Sequence, residues 1–180
     1  MIAIVLNGTS SSGKTSIVRS LQKHSQSPIV HASLDTFTDM FDWPSVREEE
    51  RKECHKVGIS NFHKCLPILA SGRFPLVVDH VFERMEWFEE CFQALKDRSV
   101  FFVGVRCPLP ILEARERMRA DRRTGLAKAQ FDLVHVKKVY DLELDTSEMS
   151  SDDCAKLILK MITNIRANQA PQTTSASLRV

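Results

Sequence analysis

Apolar residues fall along this chain in two alternating patterns: short unbroken runs, and longer stretches in which they recur at helical spacing. The first run, Ile2 to Leu6, is wholly apolar and rich in Ile and Val, which predicts a strand covered on both faces. From Lys14 to Lys23 the residues Ile17, Val18 and Leu21 fall on one face and predict a helix. Pro28, Ile29 and Val30 open a second strand that reaches about Ser33, with Asp35 at its carboxyl end. Ser45 ahead of Glu48, Glu49 and Glu50 predicts a helix start; that helix runs towards Ala70, with a break expected near Gly58, and stops at Ser71-Gly72. Phe74 to His80, FPLVVDH, is the third strand, and Glu83 to Lys96 a helix whose Trp87, Phe88, Cys91 and Leu95 form a core stripe. Val100 to Val105 is the fourth strand, Pro110 to Arg123 a basic helix broken by Thr124-Gly125, and Phe131 to Val139 a short helix. Tyr140 to Thr146, YDLELDT, alternates polar and apolar residues as a half-exposed edge strand would. Ser151, Asp152 and Asp153 begin a last helix that buries Ala155, Leu157, Ile158, Met161, Ile162 and Ile165, and the polar tail that follows is expected to be disordered. Strands and helices alternating in this way predict an α/β protein with a parallel sheet and helices on both faces: one domain over residues 1–168, followed by a tail at 169–180.

The chemistry concentrates where the first strand meets the first helix. Gly8, Gly13, Lys14 and Thr15 stand in the spacing G-x-x-x-x-G-K-T, the Walker A phosphate loop, in the strand-loop-helix context that distinguishes it from a chance match in a Ser- and Gly-rich turn. Its backbone N–H groups and the helix N-terminus point at one anion. The expected nucleotide-binding set is therefore Gly8, Thr9, Ser10, Ser11, Ser12, Gly13, Lys14, Thr15 and Ser16, with Lys14 on the outer phosphates and the Thr15 hydroxyl on magnesium. Asp79, ending the third strand, resembles a Walker B carboxylate and is the second expected magnesium ligand. Asp35 lies beside the loop if its strand runs parallel to the first; there it could take a proton from a substrate hydroxyl, hold magnesium, or cap a helix. Phe37, Met40, Phe41 and Trp43, in a structured loop from Thr36 to Pro44, form either the wall of a substrate pocket or packing beneath a loop.

Charge sharpens one further segment. Arg117 has Glu113 and Asp121 at four-residue spacing, whereas Arg115, Arg119, Arg122 and Arg123 make a stripe with fewer acids beside it. Such a stripe is mildly destabilising unless it meets an anion, which favours a phosphate-facing lid over about 115–130. With a net charge of +2 the 180-residue chain has no general affinity for nucleic acid or membranes, and its 43% hydrophobic and 27% charged residues are those of a soluble globular protein. No run approaches bilayer-spanning length, and a cytoplasmic location is expected. The cysteines Cys54, Cys65, Cys91, Cys107 and Cys154 are odd in number and lack a C-x-x-C pair, so reduced thiols are expected. Cys54, His55, His63 and Cys65 cluster locally, but on one helical segment with no second knuckle, which disfavours zinc.

Beyond the phosphate loop, the blocks LNGTSSSGKTSIVRSLQ, SLDTF, VVDHVF, FFVGVRCP, RADRRTGLAKAQ and VHVKKVYDLELDT, in this order from Ile2 to Cys154, resemble the chloramphenicol phosphotransferase family. That resemblance implies a P-loop kinase of the shikimate and adenylate kinase type with a five-stranded parallel sheet in order 2-3-1-4-5. It implies transfer of the γ-phosphate of ATP, with Mg2+, to a hydroxyl of a small molecule. It implies Asp35 as the base, and Arg119 and Arg122 as catalytic lid residues beside Lys14. Between Phe37 and Leu69, where acceptor residues are expected, the resemblance does not extend, so chloramphenicol itself is a weak inference. Rival readings are a nucleic-acid 5′-hydroxyl kinase, which Asp39, Asp42 and Glu48 to Glu50 disfavour, and a nucleotide-binding regulator without turnover, which Asp35 and Asp79 disfavour. Homo-oligomerisation stays open.

Overall fold

The computed structural model describes residues 2–118 and 125–169. Its sheet is all parallel and five-stranded, in the order β2-β3-β1-β4-β5. The strands are β1 (Ile2–Asn7), β2 (Val30–Ser33), β3 (Leu76–His80), β4 (Ser99–Arg106) and β5 (Leu142–Asp145). The helices are α1 (Lys14–His24), α2 (Leu34–Thr38), α3 (Arg51–Leu69), α4 (Met85–Ala94), α5 (Leu109–Arg117), α6 (Leu126–Phe131) and α7 (Ser151–Gln169).

The unbroken apolar runs follow from burial on both faces. Along β1 successive side chains point to opposite sides. Ile2, Ile4 and Leu6 pack with Ile17, Val18 and Leu21 of α1 and with Cys154, Ala155, Ile158 and Ile162 of α7. Ala3 and Val5 enter the other core, built with Ile59, Phe62 and Leu66 of α3 and with Cys91 of α4. At the sheet edge, β5 buries Leu144 and exposes Glu143, as its alternating sequence requires.

The strand order places β1 between β3 and β4, the point at which successive strands switch from one side of the sheet to the other. Open α/β sheets bind ligands outside the strand carboxyl ends at such a point. In register, Leu6 pairs with Asp79, Ser33 pairs with Asp79, and Asn7 pairs with His80 and Gly104. The loop after Asn7, the end of β3 and the segment after Ser33 therefore share one rim.

Several local expectations change. The stretch expected as a loop from Thr36 begins helical, because α2 covers Leu34–Thr38. Near the expected break at Gly58, α3 continues unbroken; Gly58 is buried beside Thr38 and Phe41, and a single glycine inside a helix of 19 residues costs only about 1 kcal/mol. The helix expected over Phe131–Val139 lies earlier, at Leu126–Phe131, and residues 132–137 form turns. Its start is fixed from outside: the buried Glu116 carboxylate accepts hydrogen bonds from Gly125 N (2.6 Å) and Ala127 N (3.0 Å), and Gly125 takes the left-handed conformation at φ 96°. Arg119, Arg122 and Arg123 lie outside the described residues, as does the expected tail beyond Gln169.

Candidate active site

The loop between β1 and α1 is held tightly. Gly13 ahead of α1 has φ 93°, and a Cβ at Gly8 would overlap the Val105 carbonyl oxygen, so both glycines serve the backbone path. Ser11 also sits at positive φ, 62°. The first N–H groups of α1 have no carbonyl one turn before them, which makes this end an anion site. The buried hydroxyls of Thr9, Ser11 and Ser12 have no hydrogen-bond partner among the described residues, and that of Ser11, which borders the cavity beside α1, suits a phosphate oxygen.

Lys14 is buried and folds back on the loop, donating to the Gly8 and Thr9 carbonyls at 3.0 Å each, with its ammonium 3.8 Å from Asp79 Oδ1. The Thr15 hydroxyl donates to Asp79 Oδ2 at 2.8 Å. Thus the two expected magnesium ligands, 64 residues apart in sequence, are brought into contact. Burial pushes the Asp79 carboxyl up, but Lys14, His31 and Thr15 together hold it below its ordinary value and keep it ionised. His31 Nε2 stands 3.8 Å from Asp79 Oδ2.

Asp35, Lys14, Thr15 and Asp79 line one cavity of about 670 Å³, together with Ser11, Gly13 and Ser16. The other expected loop residues have different surroundings: Thr9 borders a separate pocket with Arg106 and His135, and Ser10 N donates to Gln130 Oε1 at 2.7 Å. Asp35 is the second residue of α2, whose N-cap is Ser33, so it is not the cap of that helix. It also lines a second cavity of about 850 Å³ with Thr38, Asp39, Trp43, Arg51 and His55. Among the described residues, Asp35 is thus the one common to the cavity beside the loop and its neighbour. Of the aromatic stretch, Trp43 borders that second cavity, Phe37 packs edge-on against Phe62 at 5.1 Å in the core, and Met40 is exposed.

Sequence reasoning missed Thr146 and the work of Arg115. The Thr146 hydroxyl donates to the Ser12 carbonyl (2.8 Å), while Arg115 donates to Thr146 Oγ1 (3.0 Å), to the Thr146 carbonyl (2.7 Å) and to the Ser11 carbonyl (3.5 Å). Arg115, which the sequence groups with an arginine stripe, therefore ties α5 to the loop. His63 and His80 were also unread as a pair. Their Nε2 atoms are 3.0 Å apart, His63 Nδ1 meets Glu90 Oε2 at 2.8 Å, and burial lowers both imidazoles below their usual range, His80 far more. His63 thus has imidazole and carboxylate neighbours, and no group of three or more metal-ligating side chains occurs among the described residues.

The sequence profile of the chloramphenicol phosphotransferase-like protein family matches residues 2–163. A Mycobacterium tuberculosis protein named "Putative O-phosphotransferase Rv2636" is 23% identical over 176 residues, covering 85% of this chain and 78% of its own. Among solved structures, the Deinococcus radiodurans tunicamycin resistance protein superposes with a TM-score of 0.66 at 17% identity, covering 89% of this chain and 94% of that one. The Mycobacterium tuberculosis APS kinase CysC in complex with AMPPNP and APS does so with a TM-score of 0.65 at 18% identity, covering 89% and 96%. The structural similarities establish a P-loop kinase fold, and the match over nearly the whole chain means that this protein belongs to the chloramphenicol phosphotransferase-like family.

Proposed function

We propose that the protein is a kinase that moves the γ-phosphoryl group of ATP, with Mg2+, to a hydroxyl of a small molecule. The observation that carries this reading is the shared cavity: the phosphate loop, the Thr15–Asp79 pair and Asp35 all face it, and among the described residues Asp35 is the one that also borders the adjoining cavity. The triphosphate belongs on the loop, where the Ser11 hydroxyl and helix N–H groups offer donors. Lys14, now on loop carbonyls, meets the outer phosphates. Thr15 and Asp79 would hold magnesium, which when bound would supply charge neutralisation for the transferred phosphoryl group. Asp35 takes the proton of the acceptor hydroxyl as its oxygen bonds to the γ-phosphorus and the bond to the ADP oxygen breaks. Arg119 and Arg122 are assigned to the same phosphates on the family resemblance.

The acceptor cavity carries Asp39 and Glu48 beside Arg51 and Lys52, a mixed lining that suits a compact polar molecule better than a nucleic-acid backbone. No helix among the described residues is long and apolar enough to cross a membrane, and the cysteines there are free thiols, which fits work in the cytoplasm where ATP is abundant. The test is ATP consumption against a panel of hydroxylated antibiotics, sugars, metabolites and 5′-hydroxyl oligonucleotides, with detection of the phosphate ester. A small-molecule ester is expected, and Lys14→Ala is expected to abolish its formation in a folded protein. Phosphorylation of the oligonucleotides alone, or no turnover with any acceptor, would overturn the reading.

A further inference from the structure

Two amide side chains reach the segment that follows β3, and each uses both of its ends. Asn7, the last residue of β1, is fully buried. Its Oδ1 accepts from Phe82 N at 2.9 Å, and its Nδ2 donates to the Val134 carbonyl at 2.9 Å and to the Tyr140 hydroxyl at 2.7 Å. Gln130, on α6, is 8% exposed. Its Oε1 accepts from Ser10 N at 2.7 Å, and its Nε2 donates to Glu83 Oε1 at 2.8 Å. The orientation of each amide is set by its partners, since a backbone N–H can only face the oxygen and a carbonyl or carboxylate can only face the nitrogen. Phe82 and Glu83 follow Asp79 by three and four residues, on the segment that leaves the end of β3.

We infer that Gln130, working beside Asn7, is a positioning residue: it locks the phosphate loop to the segment after Asp79, so that the two halves of the phosphate and metal site keep one geometry. The loop has two left-handed residues, Ser11 and Gly13, and several of its backbone groups take partners from outside it. Arg115 and Thr146 supply them at the Ser11 and Ser12 carbonyls. Gln130 supplies the partner at the Ser10 amide on the opposite flank, reaching across 120 residues of sequence. Glu83, half-buried, fixes the far end of the Gln130 amide and so makes the brace directional: the loop is referenced to the β3 segment and not merely to α6. The kinetic consequence rests on the kinase reading above; the brace itself does not.

The full-length protein with Gln130→Met keeps side-chain size and loses both hydrogen bonds. Amide exchange, read by mass spectrometry on the peptide covering residues 8–13, is expected to be about tenfold faster, the loss of one well-made buried hydrogen bond. kcat/KM for ATP is expected to fall about 10- to 100-fold, as for other small misplacements of a reacting group, with the acceptor KM near wild type. The reciprocal exchange, Gln130→Glu together with Glu83→Gln, rebuilds both contacts with the donor reversed and is expected to restore exchange and turnover, whereas Gln130→Glu alone sets two carboxylates against each other and is not. Unchanged loop exchange in Gln130→Met would overturn the brace. Faster exchange with unchanged ATP kinetics would reduce Gln130 to a structural contact, and failure of the reciprocal pair to recover would remove Glu83 from the scheme. Should the wild type consume no ATP with any acceptor, the kinase reading falls, and the exchange rates of these variants decide the brace by themselves.

Discussion

Asp35 is the residue on which the proposed chemistry turns, and its position narrows the three roles its sequence context allowed. Ser33 occupies the N-cap of α2, so a capping role for Asp35 has no support, and the base and metal roles remain to be separated by measurement. Asp35→Asn preserves size and hydrogen bonding. As a base it should lower kcat by about 10² to 10⁴-fold while leaving the Kd for Mg-ATP nearly unchanged. As a metal ligand its loss should instead appear in nucleotide affinity and recover partly at high magnesium. Steady-state rates with titration of a Mg-ATP analogue tell the two apart, and a rate within about threefold of wild type, far outside the general-base range, defeats the base. Residues of this kind were legible because their signals are local: Gly8 to Thr15 form a contiguous motif, and Asp35 and Asp79 stand at strand ends. Thr146 and Gln130 were not, because each acts on the loop from more than a hundred residues away, and neither a threonine after an edge strand nor a glutamine in a short helix carries periodic meaning.

At the scale of elements, the strands and long helices follow from apolar periodicity, since both faces of the sheet demand it, whereas the errors fell where a tertiary contact decides. Leu126–Phe131 became the helix instead of Phe131–Val139 because Glu116, on the preceding helix, accepts two N–H groups at its start, a cap outside the usual capping-box spacing. Gly58 reads locally as a breaker, yet one glycine costs a helix only about 1 kcal/mol, which the burial of Ile59, Phe62 and Leu66 on the same helix outweighs. The Glu116 contact yields a further prediction. Glu116→Ala leaves the Gly125 and Ala127 amides without their acceptor and should destabilise the protein by about 1–3 kcal/mol in urea titrations. It should also loosen α6, and with it the Gln130 contact to Ser10, so faster exchange in residues 126–131 is expected to accompany faster exchange in the loop. Stability equal to wild type would show that solvent replaces the carboxylate at no cost.

For the whole molecule, the distant segments that frame the site are joined by a network that works in one protonation state. The Asn7 amide donates to the Tyr140 hydroxyl, and that hydroxyl, 2.7 Å from His135 Nδ1, donates onward to a neutral imidazole. Burial, reinforced by Arg106, pushes His135 down to about 4, and burial pushes Tyr140 up to about 12, so both stay neutral across the ordinary pH range. The sign of the linkage follows. Between about 6.5, the ordinary histidine value in an unfolded chain, and about 4, the unfolded chain binds a proton at His135 that the folded chain refuses, so stability falls as pH falls through this window. His63 and His80, both lowered by burial, act in the same direction. Asp79, held below its ordinary carboxylate value, is lost only at more acidic pH, which leaves the upper window to the histidines. Denaturation midpoints should therefore decline from pH 7 to pH 5. Because His135 borders the pocket beside Thr9 rather than the Lys14 cavity, His135→Gln should flatten part of that decline without removing ATP binding. Midpoints that hold steady or rise on acidification, or a slope untouched in His135→Gln, would show that the imidazole is not kept neutral by the fold and that the Asn7–Tyr140 link does not depend on its charge.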